Sequence, residues 1–230
     1  MTAQTPESSD RGERHQGPSL LGVALAFVAL FIGSLIVTAA MTGGAHFPSP
    51  FEPFMTTRAF FSDHMAAVRV GAFLQFGAAM PLAIFTATSV NRLRFLGVQS
   101  AAGPSIALLG GVLASTMTAL SGLSQWILGQ PGSTASDGVL RAFHLLSFAT
   151  GGPGYVVPFG VLVAGVSLSG GLTRHLRRWI MWFGLLVAAI AELSALTLVT
   201  PTAAVLLPAA RFLGFIWLIA VGATLARRRR

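Results

Sequence analysis

The sequence predicts an all-α, polytopic membrane protein: a bundle of six transmembrane helices, with the fourth kinked or broken. Three observations predict it. Hydrophobic residues make up 53% of the 230 residues and charged residues only 10%, whereas soluble domains carry about a quarter charged residues. Six long apolar runs each reach the ~20 residues that a helix rising 1.5 Å per residue needs to cross the hydrocarbon. The arginines gather at the ends of those runs, as topology determinants do. Helices are required because lipid cannot satisfy open backbone groups, and the short alternating segments of a membrane β-barrel are not seen.

Residues 1–18 are polar, rich in Ser, Arg and Glu, and close on Gly17-Pro18. They read as a disordered cytoplasmic tail. The first apolar run is Ser19 to Met41. Arg11 and Arg14 precede it and small residues follow at Thr38 to Ala40, which makes a signal peptide the rival reading. Its apolar core exceeds the roughly 7–15 residues of a signal h-region, so a retained span is favoured. The further runs are Ala66–Ser89, Gly103–Leu128, Val139–Leu168, Arg178–Val199 and Ala203–Ala226. Residues 19–226 thus form one six-span domain, followed by a basic cytoplasmic end at 227–230.

Orientation follows from charge. Every basic residue other than histidine is Arg, and the formal net charge is +8. Arg11, Arg14, Arg92, Arg94, Arg174, Arg177, Arg178 and Arg227 to Arg230 fall on one side, which becomes the cytoplasmic side of a cell membrane. Arg58 lies in a loop on the other side, and Arg69, Arg141 and Arg211 lie at or inside the outer ends of spans. Both termini are then cytoplasmic. Trp179 and Trp182 fall near the inner interface and Trp126 near the outer one, as an aromatic belt requires. Charge placed this way speaks for lipid as the partner and against nucleic acid. Abundant Ala, Gly and Arg with no Lys point to a bacterial genome rich in G and C. There is no cysteine, hence no disulfide or thiolate chemistry.

The longest external loop, Thr42 to Asp63, carries Phe47, Phe51, Phe54, Phe60 and Phe61, broken by Pro48, Pro50 and Pro53. The prolines argue against a continuous helix. An aromatic loop resting on headgroups is the simpler reading; a lid over an outward-facing cavity is the other. Arg69, Leu74, Phe76 and Pro81 recur 72 residues later as Arg141, Leu146, Phe148 and Pro153. Both segments run inward, so a duplication would be a parallel repeat.

Polar groups inside the spans are the most informative residues, because a charge at mid-helix costs about 2.5–3.5 kcal/mol on insertion scales. Glu192 lies roughly 21 Å above Arg178, and Arg211 roughly 24 Å above Arg227 on the antiparallel neighbour. Matched depth predicts a Glu192–Arg211 ion pair. Arg69 and Arg141 sit nearer the outer interface, where each alone reads as snorkelling. Together with Asp63, His64, Gln75, Gln125 and His144 they fill the outer half of the bundle. Convergence of Arg69, Arg141, His144, Glu192 and Arg211 would form an outward-facing polar pocket for an anionic headgroup or small acid.

The fourth span contains Gly151-Gly152-Pro153-Gly154 and then Pro158. Glycine weakens a helix and proline removes a donor and clashes with the preceding turn. A plain kink is the simpler reading; a broken helix lining a binding site is the other. The third span repeats small residues at Gly103, Ala107, Gly111, Ser115 and Ala119, and again at Gly110, Ala114, Thr118 and Gly122. Such stripes permit close helix approach and predict a central third helix.

The histidines His15, His46, His64, His144 and His175 show no close metal-ligand spacing. Gly165-Val166-Ser167-Leu168-Ser169 lacks the last glycine of a nucleophile elbow. Gly152 and Gly154 open like a dinucleotide fingerprint, but Val157 occupies the third glycine position. No cofactor, metal or catalytic residue follows from these patterns.

Arg178-Trp179, Trp182 and Gly184, then Pro208, Trp217-Leu218 and Gly222, resemble a family of uncharacterised bacterial multi-pass membrane proteins grouped as a domain of unknown function. The resemblance covers the last third of the chain and implies six helices, with no established catalytic residue. In that family an acidic residue is common near the start of the last span, where this chain has Arg211 nearby.

The leading functional expectation is a non-enzymatic bundle that binds or moves an anionic or amphipathic small molecule through the outer pocket. One alternative is a membrane-embedded enzyme pairing His144 or His64 with Asp63 or Glu192. Another is an accessory or structural subunit docking through helix faces.

Overall fold

A computed structural model describes residues 17–98 and 102–225. The tail expected to be disordered at 1–18 lies outside these residues except for Gly17 and Pro18, and the basic end at 227–230 lies wholly outside them. The chain is all-helical. Among the described residues eight α-helices follow in order: α1 Leu20–Met41, α2 Phe54–Asp63, α3 Met65–Phe95, α4 Gly103–Leu128, α5 Asp137–Gly151, α6 Pro153–Leu172, α7 Arg178–Leu193 and α8 Leu206–Thr224. Two 3-10 turns, Ser194–Leu198 and Pro201–Val205, link α7 to α8. Among the described residues six helical stretches are long and apolar enough to cross a membrane; α5 with α6 makes the fourth, and the 3-10 turns complete the fifth and begin the sixth. The chain is a multi-pass membrane protein whose helices meet the bilayer.

The outward surface supports that setting. Leucine, isoleucine and phenylalanine side chains such as Ile36, Phe73, Leu109, Leu186 and Ile216 stand exposed along the spans, which water would penalise and lipid would not. Trp126, Trp179 and Trp182 are 50%, 55% and 65% exposed, as expected of interfacial indoles. Trp217 instead is fully buried and donates from Nε1 to Ser167 Oγ at 3.1 Å.

The helices close a ring in which α1 packs on α3, α3 on α4, α4 on α5 and α6, α6 on α7, α7 on α8, and α8 back on α1. The most enclosed span is the fourth, not the third as its small-residue stripes predict. Of its most apolar stretch 67% is buried, against 44% for the third. The stripes serve to bring α4 onto both neighbours. A Cβ at Gly110 would stand 2.6 Å from both Leu162 N and Pro158 O of α6, and one at Gly122 would stand 2.8 Å from Phe76 N of α3.

α3 continues to Phe95, past Ser89 where the apolar run ends, so Arg92 and Arg94 occupy its last turn. Cations there complement the negative end of the helix dipole. The external loop is not one continuous helix: its helix, α2, begins only after the last proline, Pro53, which serves as the N-cap. Phe60 and Phe61 of α2 are buried with Val68, Leu128 and Leu140 in a second small core. Pro81 and Pro153, partners in the sequence repeat, play different parts: Pro81 lies within α3, whereas Pro153 opens α6 after a break.

Candidate functional site

The break in the fourth span places an unusual backbone group in the middle of the bundle. In a continuous helix the N–H of Tyr155 would donate to the carbonyl of Gly151, four residues back. Here Tyr155 N and Val156 N both donate to Gly152 O, at 3.2 and 2.9 Å. Pro153 has no N–H to give. The Gly151 carbonyl, at the negative end of α5, is taken instead by Arg211 of α8, whose Nη2 donates to it at 2.6 Å. The guanidinium also lies over the rings of Phe31 and Tyr155, with Cζ 5.1 and 5.6 Å from their centroids. Cation–π contacts of this kind strengthen on desolvation.

Glu192 is not part of this arrangement. No ion pair joins it to Arg211, so the predicted pairing is wrong although the depths match. Glu192 is exposed and its Oε1 lies beside Gly160 of α6. Arg211 points the other way, toward α1 and the α5–α6 break. Among the described residues the ion pairs are His46–Glu52 at 3.2 Å and Arg58–Asp137 at 3.1 Å, both outside the spans or at their ends. Arg211 therefore has no carboxylate partner, and its Nε is buried without a hydrogen bond.

Arg211 lines a cavity of about 290 Å³. One wall is polar and continuous: Gln125 Nε2 donates to Gln75 Oε1 at 2.8 Å, Gln75 Nε2 to Ser121 Oγ at 2.9 Å, and Ser121 Oγ to the Ser147 carbonyl at 3.0 Å. This relay links α3, α4 and α5. The opposite wall is apolar, formed by Phe31, Leu35, Leu207 and Pro208, and the break at Gly151 and Gly152 lines it too. A Cβ at Gly151 would collide with Ser121 Oγ, so only glycine lets the break and the relay share this space. A smaller cavity of about 150 Å³ adjoins it, sharing Leu35, Phe47, Gln75 and Gln125.

The loop before α2 roofs the cavity through Phe47, Pro48, Ser49 and Pro50. The loop therefore covers this cavity with Phe47 to Pro50, while Phe51 stays 48% exposed. His144, only 5% exposed, bonds the Pro48 carbonyl through Nε2 at 3.1 Å, which requires a proton on Nε2. Phe47 meets His144, Phe60 and Phe61, and Phe51 stands edge-on to Phe148. Glu52 closes the turn by accepting from Ser49 N at 2.9 Å and from His46 at 3.2 Å. The Ser49 N–H and the His46 contact hold its carboxyl below the usual carboxylate range, with partial burial opposing them.

The five residues grouped from sequence are thus divided. His144 and Arg211 share the main cavity. Arg141 stacks over Phe54 at 4.4 Å and lines a separate cavity of about 130 Å³ with Glu52, Thr57 and His144. Arg69 lines a groove between α3 and α4. Glu192 lines none of these. The sequence reading missed Ser121 and Glu52; a serine in an apolar span and a glutamate between prolines give little signal alone. Of the acid–base pairs considered from sequence, neither Asp63 nor Glu192 lines the two cavities described here that His144 borders. Among the described residues no group of three or more His, Cys, Asp or Glu converges as metal ligands would. No protein-family model, curated protein or solved structure matches this chain.

Proposed function

We propose that this protein binds, and in a transporter-like or sensory role responds to, a small anionic or amphipathic molecule in the cavity that Arg211 enters. One observation carries the reading: a guanidinium within the spans has a carbonyl and two aromatic faces for company, but no carboxylate among the described residues. An uncompensated charge in that setting is costly, and an incoming anion would offset the cost. The walls suit a molecule with one charged end, polar on the glutamine side and apolar on the Phe31 and Leu207 side. A volume of about 290 Å³ is near the lower end of small-molecule sites.

In the same proposal the protein resides in a bacterial cell membrane with both termini cytoplasmic, and the cavity faces outward. The arginine distribution supports that orientation. The resemblance to the six-helix bacterial family fits this setting and adds no residue to the site. The small-residue stripes of α4 are spent on internal packing, which favours a binding role over a docking subunit.

The test is thermal unfolding of the purified full-length chain with water-soluble carboxylates and phosphate monoesters of graded size, each beside its neutral amide or alcohol. A ligand at about a hundred times its Kd should add about 2.7 kcal/mol. Stabilisation by anions alone, lost in Arg211→Gln, is the expected result. Indifference to every anion, or equal stabilisation of the variant, removes the reading.

A further inference from the structure

Between α3 and α4 runs a groove of about 300 Å³, sharing no lining residue with the Arg211 cavity, bordered by Arg69, Phe73, Phe76, Leu123 and Trp126 over a floor of Ala72 and Gly122. We infer that this groove is a binding site for an anionic phospholipid, with the phosphate at Arg69 and an acyl chain lying along Phe73 and Phe76.

The floor exists because Gly122 lets the helices approach: a Cβ there would stand 3.1 Å from Ala72 O and 2.8 Å from Phe76 N. The close crossing leaves the large side chains to form the rims, and Phe73 and Trp126 project outward, 70% and 50% exposed. The groove is graded in polarity. Arg69 lies in the second turn of α3 and Trp126 in the last turn of α4, so both stand at the same end of the bundle. From Arg69 to Phe76 the helix descends about 10 Å, the depth over which a lipid passes from headgroup to hydrocarbon.

Arg69 is also held in place. Its stem lies against Gly129, where a Cβ would stand 2.6 Å from Arg69 Cγ. Arg69 is exposed, and among the described residues no carboxylate pairs with it, unlike Arg58, which is matched by Asp137. A fixed cation at the polar end of an apolar groove complements a phosphodiester above an acyl chain. The indole N–H of Trp126 is a donor at the level of a lipid ester. A soluble anion would find the charge but leave the Phe73–Phe76 rim uncovered, so the occupant is a lipid. The site is independent of the Arg211 cavity.

Native mass spectrometry of the full-length protein, with phosphatidylglycerol and phosphatidylcholine of the same acyl chains, tests the inference. Wild type should retain phosphatidylglycerol at least several-fold better than phosphatidylcholine. Arg69→Gln should erase that preference, Arg69→Lys should restore part of it, and Phe73→Ala should weaken retention of both lipids. Arg58→Gln, at a half-exposed arginine paired with Asp137 on the same side, should change nothing, and added glycerol 3-phosphate should not displace the lipid. A preference that survives Arg69→Gln, or falls equally in Arg58→Gln, overturns the inference. So does displacement by glycerol 3-phosphate, which would mean that the site recognises phosphate without the chain.

Discussion

Arg211 of the last helix bonds the carbonyl of Gly151, sixty residues earlier in the chain, at 2.6 Å. The bond ties the two halves of the fourth span to the sixth and fills the acceptor that the Gly152-Pro153 break leaves open. Arg211→Leu removes this charge-assisted hydrogen bond, a loss of about 1.5–3 kcal/mol. Arg211→Lys keeps the charge but loses the planar fork and the stacking over Phe31 and Tyr155. We expect both variants to unfold at lower temperature, with leucine the worse. An unchanged midpoint for leucine would show that the break is satisfied without the arginine.

The relay from Gln125 through Gln75 and Ser121 to the Ser147 carbonyl predicts coupling between residues on α3 and α4. Gln75→Leu and Ser121→Ala each break the 2.9 Å bond between them. A double-mutant cycle on stability should return a favourable interaction of about 0.5–1.7 kcal/mol, the range found for hydrogen bonds between membrane helices. Strictly additive losses would mean that the two side chains act separately.

Glu52 gives the roof a pH dependence. Its carboxyl titrates below the ordinary value of 4.5, chiefly because the Ser49 N–H favours the charged form. A folded-state pKa below the unfolded one contributes stability that is full above the unfolded value and is lost as pH falls through the folded value. Acidification from pH 6 to below 4 should therefore loosen the turn over the cavity. The observable is the difference in unfolding midpoint between wild type and Glu52→Gln across that range. It should shrink on acidification, and a constant difference would contradict the sign.

The six spans were legible because length and hydropathy are properties of single segments. The relations between segments were not. Matched depth suggested that Glu192 meets Arg211, but depth follows from residue count while facing depends on helix rotation, and Glu192 turns to Gly160 instead. The true partner of Arg211 was invisible for a different reason. An inventory of side chains does not show a carbonyl freed by a glycine-proline break. Gln75 and Gln125 stood out individually, yet Ser121, which links them to α5, looked like one small residue among many. The same stripe suggested a central α4, whereas the broken α5–α6 span, with partners on several sides, is the more enclosed.

Gly110 provides a direct test of that packing. Its missing side chain lets α4 approach α6 until a Cβ would stand 2.6 Å from Leu162 N and Pro158 O and 2.8 Å from Val161 Cβ. Backbone atoms on the facing helix cannot swing aside as a side-chain tip can. Gly110→Val therefore forces the helices apart, at a cost of about 1–3 kcal/mol or more for overpacking. The separation would propagate to the break at Gly152, which α6 follows directly. Reduced thermal stability together with weaker anion stabilisation is the expected outcome. A variant with wild-type stability would mean that α4 and α6 are not in close contact.

The absence of cysteine makes the proposed orientation testable on a clean background. Ser62→Cys in α2 and Ala135→Cys in the α4–α5 loop are exposed positions at the end of the bundle that holds the lid. His175→Cys, between α6 and α7, lies at the opposite end beside Arg174, Arg177 and Arg178. Eleven of the fifteen arginines fall on that second side by sequence, and clustered arginine in short loops is retained in the cytoplasm. A membrane-impermeant maleimide added to intact cells should label the first two positions and reach His175→Cys only after permeabilisation. The reverse pattern would turn the cavity toward the cytoplasm, so that any soluble ligand of Arg211 would come from inside the cell. Labelling of all three in intact cells would mean that the two loop ends do not lie on opposite sides of a membrane, and the six-span arrangement itself would fail.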